Sequence, residues 1–254
     1  MESRSPVLSD TLHPALKNAR ACIFDAGGTL VHPDWTRLSR IAEEVTGGIF
    51  RVEEMGRAFA EMLRTLGIDM QREGFVLPDD TKLEHWTFRR VYLALGLDET
   101  SWPGLVDRIA DSHRERHLWC TVDPDAARVL DELKRQGLIV AVISNTEDGR
   151  LIDSLDACGI SDRFDLLVDS KLVGHRKPDA AIFRFTLERL NLEAHAAAYV
   201  GDSYASDALA ACANGLRGIL LDPLDIHPES VCPRIRSLSE LVERADGNAE
   251  VLRS

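Results

Sequence analysis

The sequence predicts an α/β fold in which helices cover both faces of a parallel sheet, with a small all-helical domain inserted after the first strand. Beyond residue 124, short apolar runs alternate with helical segments, and this alternation is typical of a parallel sheet. Between residues 36 and 118, apolar residues recur at helical spacing, and no strand run interrupts them. A chain of 254 residues is long enough to hold both parts.

The predicted elements follow in order along the chain. Residues 1–19 show no strand pattern and are expected to form a surface arm, and the apolar run 21–24 is the first strand. Glycine and proline breaks divide residues 36–118 into about four helices. Further helices are predicted at 126–136, 151–158, 179–190, 207–213 and 238–245, and strands at 138–143, 165–168, 196–200 and 217–221. We therefore expect an α/β domain made of residues 1–33 and 119–254, and a helical domain made of residues 34–118.

Composition limits the classes of partner and compartment. Acidic residues outnumber basic ones, 42 to 30, which gives a formal net charge of −12. This balance argues against nucleic acid or an anionic membrane as the main partner, although one basic pocket for a small anion stays compatible with it. No apolar run approaches the roughly 20 residues of a membrane span, and the start of the chain lacks the layout of a secretory signal. The five cysteines are odd in number and form no CxxC motif, so we expect reduced thiols in a cytoplasmic protein.

Four short polar segments stand where predicted strands end: FDAGGTL, VISNT, GHRKPD and YVGDSYASD. Taken alone, each has a plainer interpretation as a tight turn, a helix cap or a solvated basic loop. Taken together they predict one site, because the carboxyl ends of parallel strands share the edge of the sheet where ligands bind.

The residue types in these segments suit phosphoryl chemistry. An aspartate after the first strand is a candidate nucleophile or metal ligand, and a lysine ahead of a helix can neutralise a phosphoryl group. A hydroxyl and an amide after a buried strand suit phosphate or carboxylate oxygens. Two aspartates in the last segment offer the hard oxygen ligands that Mg²⁺ prefers. The candidates are Asp25, Ser144, Asn145, Lys177, Asp202 and Asp207.

The order of these segments resembles the haloacid dehalogenase (HAD) superfamily over about residues 20–222. The resemblance implies a Rossmann-like sheet, a helical cap and a hydrolase in which Asp25 is the nucleophile that forms an aspartyl-phosphate. It also implies that Lys177 is catalytic and that a small phosphorylated metabolite is the substrate. The implied substrate-binding residues are Thr29, Ser144, Asn145 and Lys177, and the implied Mg²⁺ ligands are Asp25, the carbonyl of Gly27, Asp202 and, directly or through water, Asp207.

One position departs from the family pattern. In the phosphatases of the superfamily, a second Asp two residues after the nucleophile serves as general acid and base, whereas this chain has Gly27 there. The loss of such a group typically costs on the order of 10² to 10⁴ in rate. Whether another group replaces it is left open, with four candidates near the motifs or on the helical module: His32, His175, His85 and Glu84.

Several functions therefore stay open. The retained acidic pair favours a Mg²⁺-dependent phosphatase that acts on a small phosphate ester. L-2-haloacid dehalogenases also lack the second Asp, but they need no metal and lack the acidic last segment. Phosphonoacetaldehyde hydrolases use a Schiff-base Lys from the cap, for which Lys82 is the only Lys between residues 32 and 118. A non-catalytic protein that binds a phospho-ligand or another protein is the remaining alternative, and the oligomeric state is left open.

Overall fold

The computed structural model describes residues 12–70 and 85–242 of the chain. Its strands are β1 (Ala21–Phe24), β2 (Val31–Pro33), β3 (Trp119–Val122), β4 (Ile139–Ser144), β5 (Leu166–Asp169), β6 (Ala197–Gly201), β7 (Arg217–Leu221) and β8 (Arg234–Ile235). Six of them form one sheet in the order β5-β4-β1-β6-β7-β8, and every neighbouring pair is parallel. In the middle of this sheet, Ala21 of β1 lies opposite Ile139 on one side and Ala197 on the other.

Helices cover both faces of this sheet. The α-helices are α1 (Trp35–Thr46), α2 (Val52–Met70), α3 (Trp86–Ala94), α4 (Trp102–Glu115), α5 (Ala126–Arg135), α6 (Leu151–Ala157), α7 (Ser170–Val173), α8 (Ala180–Leu190) and α9 (Ala210–Ala213). A π-helix, Tyr204–Leu209, leads directly into α9. Helices α5 and α6 pack on one face of the sheet, and α8 and α9 pack on the other.

The central strand shows why both faces need cover. Successive side chains of a strand point to opposite faces. Accordingly, Cys22 and Phe24 lie in the core beneath α5, whereas Ala21 and Ile23 lie in the core beneath α8. All four are fully buried. The fold class is therefore the predicted Rossmann-like α/β sheet with helices on both faces.

Helices α1 to α4 lie between β2 and β3 and share an apolar core of their own. In that core, the rings of Phe50 and Tyr92 meet edge to face at 5.1 Å, and the Tyr92 hydroxyl donates to the Leu38 carbonyl at 2.7 Å. The chain enters and leaves this helical segment through an antiparallel ribbon in which β2 pairs with β3. The exact division into domains of residues 34–118 and the rest stays a prediction.

Some local predictions were wrong. Residues 12–19 are not a surface arm, because the 3₁₀ turn Pro14–Leu16 buries Leu16 completely and the His13 N–H donates to the Leu241 carbonyl at 3.0 Å. Residues 1–11 lie outside the described residues. The predicted closing helix 238–245 is, as far as it is described, the 3₁₀ turn Leu238–Leu241. None of the helices in the described ranges is long and apolar enough to cross a bilayer.

Candidate active site

The four polar segments meet at one edge of the sheet. Asp25 follows β1, Ser144 ends β4 and Asp202 follows β6, and these three strands are parallel neighbours. Their carboxyl ends therefore share one edge, as expected for an open α/β sheet. A cavity of about 230 Å³ opens there. The predicted site residues that line it are Asp25, Gly27, Ser144, Asn145, Lys177, Asp202 and Asp207.

Lys177 is the cationic centre of the site. Its buried Nζ lies 2.5 Å from Asp25 Oδ1, 2.7 Å from Asp207 Oδ1 and 2.9 Å from the hydroxyl of Tyr199. Burial alone would lower the pKa of Lys177, but the carboxylates of Asp207 and Asp25 outweigh it and hold this pKa well above its usual value. The ammonium therefore stays charged at neutral pH.

Two of the predicted substrate-binding residues, Asn145 and Thr29, are hydrogen-bonded to Lys177 and Asp25. Asn145 accepts from the Lys177 backbone N–H at 2.8 Å and donates to the Lys177 carbonyl at 3.0 Å, so its amide fixes the loop that carries the ammonium. Thr29 is fully buried, donates to Asp25 Oδ2 at 3.4 Å and is not among the residues that line the cavity. Ser144 does line it.

Three carboxylates crowd around this single ammonium. Oxygen atoms of Asp25, Asp202 and Asp207 all lie within 4.8 Å of one another. Burial raises the pKa of Asp25 to about 6, with the Asp207 carboxylate adding to the rise and Lys177 opposing it. Burial and the carboxylates of Asp25 and Asp207 also raise the pKa of Asp202 well above its usual value. The group is short of positive charge, and its oxygen donors fit a hard divalent cation such as Mg²⁺.

Gly28, three residues after Asp25, allows the three carboxylates to lie this close together. Gly28 has a φ of 92°, which favours glycine, and a Cβ built there would lie 1.9 Å from Asp202 Oδ2. Only a residue without a side chain lets the Asp202 carboxylate approach the first motif so closely. On the other side of Asp202, a Cβ on Gly201 would lie 2.5 Å from the Cβ of Asp207.

The position that usually carries the general acid is covered by an aromatic ring. A Cβ built on Gly27 would lie 3.1 Å from Cζ3 of Trp119, which belongs to β3. The indole also contacts Phe59 and Phe88 from the helical segment, with ring centroids 5.8 and 6.1 Å away. The proton-transfer group is therefore missing from this place, and the space for its side chain is filled.

The structure separates the four candidates for a replacement acid. His32 faces Asp123 at 3.6 Å and is not among the cavity-lining residues, and His175 is exposed outside the cavity. His85 is buried and lines the cavity. Glu84 lies outside the described residues, as does Lys82, the candidate Schiff-base residue.

Sequence reasoning missed several residues in or beside the cavity. Tyr199, which binds Lys177, stands inside an apolar strand, and its buried hydroxyl, which needs a partner, is the signal that was available. His113, His117 and Asp148 form a cluster on the wall of the same cavity, with His113 Nε2 2.8 Å from Asp148 Oδ2. The spacing of four between the two histidines was the signal for this cluster. Nothing local pointed to Trp119.

Comparison with known proteins agrees with this architecture. A family model described as haloacid dehalogenase-like hydrolase matches residues 19–215. The ribulose-1,5-bisphosphate 5-phosphatase of Halopiger xanaduensis is 29% identical over 213 residues, which cover 81% of this chain and 85% of that protein. The (S)-2-haloacid dehalogenase 4A of Burkholderia cepacia is 29% identical over 185 residues, 72% of this chain and 75% of that protein.

A solved structure supports the fold alone. The crystal structure of a dehalogenase with an intermediate complex superposes with a TM-score of 0.64 at 24% identity, covering 88% of this chain and 96% of that one. The family model spans well over half of the sequence and includes all four polar segments whole. The chain thus belongs to the haloacid dehalogenase-like hydrolases.

Proposed function

We propose that this hydrolase is a Mg²⁺-dependent phosphatase of a small phosphate ester and that Asp25 is its nucleophile. The observation that carries the proposal is the charge arrangement: one buried ammonium, Lys177, serves a cavity with the carboxylates of Asp25, Asp202 and Asp207. A divalent cation and a phosphoryl group would together balance these charges. The phosphatase relative acts, by its name, on a phosphorylated compound, which supports this substrate class.

The metal would be held by residues of the first and last segments. Asp25, Asp202 and the carbonyl of Gly27 would be ligands. Asp207 would support the site indirectly, because its two oxygens already accept from Lys177 Nζ at 2.7 Å and from the Ser203 N–H at 3.0 Å. When bound, Mg²⁺ would supply the charge that offsets repulsion between a carboxylate and an anionic phosphate.

Asp25 attacks the phosphorus, and its bond to phosphorus forms as the bond from phosphorus to the ester oxygen breaks. Lys177 neutralises Asp25 and the transferred phosphoryl group together. Water then attacks the phosphorus of the aspartyl-phosphate and releases inorganic phosphate and free Asp25. Apolar side chains of the helical segment, including Phe59 and Phe88, wall the cavity and exclude bulk water from this reaction.

A dehalogenase is the second candidate. Gly27 and the aromatic wall are compatible with displacement of halide by Asp25, and the dehalogenase relative has the same 29% identity as the phosphatase relative, over a shorter match of 185 rather than 213 residues. The acidic pair Asp202 and Asp207 disfavours it, because that reaction has no use for a cation site. Cleavage of a carbon–phosphorus bond by Lys82 remains a weaker proposal. A non-catalytic role would leave the buried pair of Asp25 and Lys177 without a purpose.

Turnover of p-nitrophenyl phosphate tests the proposal. We expect hydrolysis that is lost on chelation, restored by Mg²⁺ and reduced on the order of 10³-fold or more by Asp25→Asn. Asp162→Asn is the matched control, since that side chain is 84% exposed and is not among the residues that line the cavity. Chloride release from L-2-chloropropionate without any phosphate-ester turnover would contradict the phosphatase and favour the dehalogenase.

A further inference from the structure

A histidine in the active-site cavity has a buried nitrogen without a partner. His85, which precedes α3, is 9% exposed and lines the cavity that contains Asp25. Its Nε2 has no hydrogen-bond partner among the described residues. Its backbone has a φ of 50°, which is unusual for a residue with a side chain. An unpaired buried polar atom and a strained backbone both cost stability, and such features cluster at functional sites.

The neighbouring histidines differ from His85 because each has a ring nitrogen that accepts a hydrogen bond from a backbone N–H. In His113, Nδ1 accepts from the Leu118 N–H at 3.2 Å, so Nε2 carries the proton that it donates to Asp148. In His117, Nδ1 accepts from the Trp119 N–H at 3.2 Å. These bonds use the lone pairs that a metal would need, which argues against a second metal site in this cluster. Of these three histidines, His85 is the one with a buried ring nitrogen that has no partner among the described residues, so its imidazole can bind a substrate in the cavity.

We propose that His85 is the general acid and base of the reaction and replaces the group that Gly27 cannot supply. The inference rests on the proposed phosphatase function. It explains how proton transfer survives although Trp119 fills the space beside Gly27. The acid comes from the helical segment on one wall of the cavity, whereas the nucleophile comes from the sheet edge.

The surroundings of His85 suit a proton that arrives with the substrate. Burial lowers the pKa of His85 to about 4, with His113 and His117 lowering it further and Asp148 opposing them. The free enzyme therefore holds a neutral imidazole at pH 7. A phosphate dianion in the same cavity favours the imidazolium and raises this pKa, and the proton of a monoanionic ester can pass to His85 on binding.

The proton balance closes over the two steps. In the first, the Asp25 oxygen bonds to phosphorus, the ester bond breaks, and the His85 proton moves to the leaving oxygen, which departs as an alcohol. In the second, neutral His85 takes a proton from water as the water oxygen attacks phosphorus and the Asp25–phosphorus bond breaks. The products are the alcohol and inorganic phosphate, and His85 is protonated again.

Leaving-group dependence tests this role. p-Nitrophenolate leaves without a proton, whereas the alkoxide of glycerol 2-phosphate needs one. For His85→Gln we expect kcat/KM to fall on the order of 10²-fold or more with glycerol 2-phosphate and less than about tenfold with p-nitrophenyl phosphate. His32→Gln is the control, because His32 is not among the cavity-lining residues, and both of its values should stay near those of the wild type. Equal losses on both substrates, or none, would overturn the proposal.

A second measurement reads the imidazole directly. With ¹⁵N-labelled histidine and Mg²⁺, added inorganic phosphate should shift the His85 ring signals and raise the pKa of His85, while those of His32 stay unchanged. An unresponsive His85 would overturn the assignment even in an active phosphatase. Wild-type turnover of p-nitrophenyl phosphate separately decides the phosphatase itself, so failure of one claim is distinguishable from failure of the other.

Discussion

Two consecutive glycines near Asp25, the proposed nucleophile, have different steric surroundings. Gly27 leaves room for the Trp119 ring, 3.1 Å from where its Cβ would stand, and a small shift of the indole would accommodate a methyl group. A Cβ built on Gly28 would lie 1.9 Å from Asp202 Oδ2, and the φ of Gly28 is positive, so no side chain fits without moving a candidate metal ligand. A side chain at residue 28 would therefore disturb the candidate cation site itself.

Gly28→Ala should displace Asp202 and abolish Mg²⁺-dependent turnover. The left-handed backbone adds a stability cost of at least about 1 kcal/mol. Steady-state kinetics and urea unfolding measure the two effects. Gly56→Ala in α2 is the matched control, since a Cβ there meets nothing within 4 Å and activity should not change. Full activity of Gly28→Ala would show that Asp202 is not needed where the structure holds it.

The charged residues of the candidate site could be predicted from the sequence, whereas the residues that contact and position them could not. Asp25, Lys177 and Asp202 stand at predicted strand ends or ahead of a predicted helix, so local pattern alone places them at one edge. The supporting role of Asn145 and the cover that Trp119 gives to Gly27 depend on contacts between residues far apart in the chain. No local pattern encodes such contacts, and they emerged only from the packed structure.

At the scale of elements, a histidine–aspartate contact ties the helical segment to the sheet edge. His113 at the end of α4 donates to Asp148, which follows β4, and Arg150 Nη1 donates to the His113 carbonyl at 3.4 Å. Burial would raise the pKa of Asp148, but the hydrogen bonds from His113 and the Arg150 N–H outweigh it and hold this pKa at about 2. The Asp148 carboxylate therefore stays ionised over the whole physiological pH range and keeps accepting from His113.

The third histidine of this region makes stability depend on pH. Burial, then His113, lowers the pKa of His117 to about 4. A lowered histidine pKa favours the neutral form in the folded state, so this contribution is present above pH 6.5 and is lost as pH falls towards 4. The stabilisation that His117 contributes to the folded state should fall by about 2 kcal/mol between pH 7 and pH 5.

Urea unfolding of the wild type and of His117→Gln at both pH values checks this. The quantity compared is the free energy of unfolding of the wild type minus that of His117→Gln. It should be about 2 kcal/mol smaller at pH 5 than at pH 7. Subtracting the variant cancels the opposing effect of the raised carboxyl pKa values at the active site. A difference that does not change with pH would mean that His117 titrates normally in the folded protein.

Element prediction failed for some of the short elements. β2, β3 and β8 have the sequences VHP, WCTV and RI, and none contains the continuous run of three or more apolar residues by which the comparably short β1 and β5 were predicted. The helix predicted from residue 207 begins instead as the π-helix Tyr204–Leu209, which places Asp207 within reach of Lys177. The other five strands of the central sheet were predicted to within one residue, because continuous apolar runs mark strands that are buried on both faces.

At the scale of the whole molecule, chemistry is divided between two parts of the chain. The sheet edge holds the proposed nucleophile, the Lys177 ammonium and the carboxylates proposed to bind the cation, and all of them line one cavity. The helical segment supplies the aromatic wall and His85. Both parts meet at one cavity, so substrate selection and proton transfer can vary with the helical segment while the phosphoryl-binding edge stays the same.

The central claim is that Asp25 carries the phosphoryl group during turnover. The most direct measurement mixes the enzyme with Mg²⁺ and p-nitrophenyl phosphate, quenches it in acid within milliseconds and maps the modified peptide by mass spectrometry. We expect a phosphoryl group on Asp25 of the wild type and none on residue 25 of Asp25→Asn. Continued ester hydrolysis with no phosphoryl group ever found on residue 25 would contradict it.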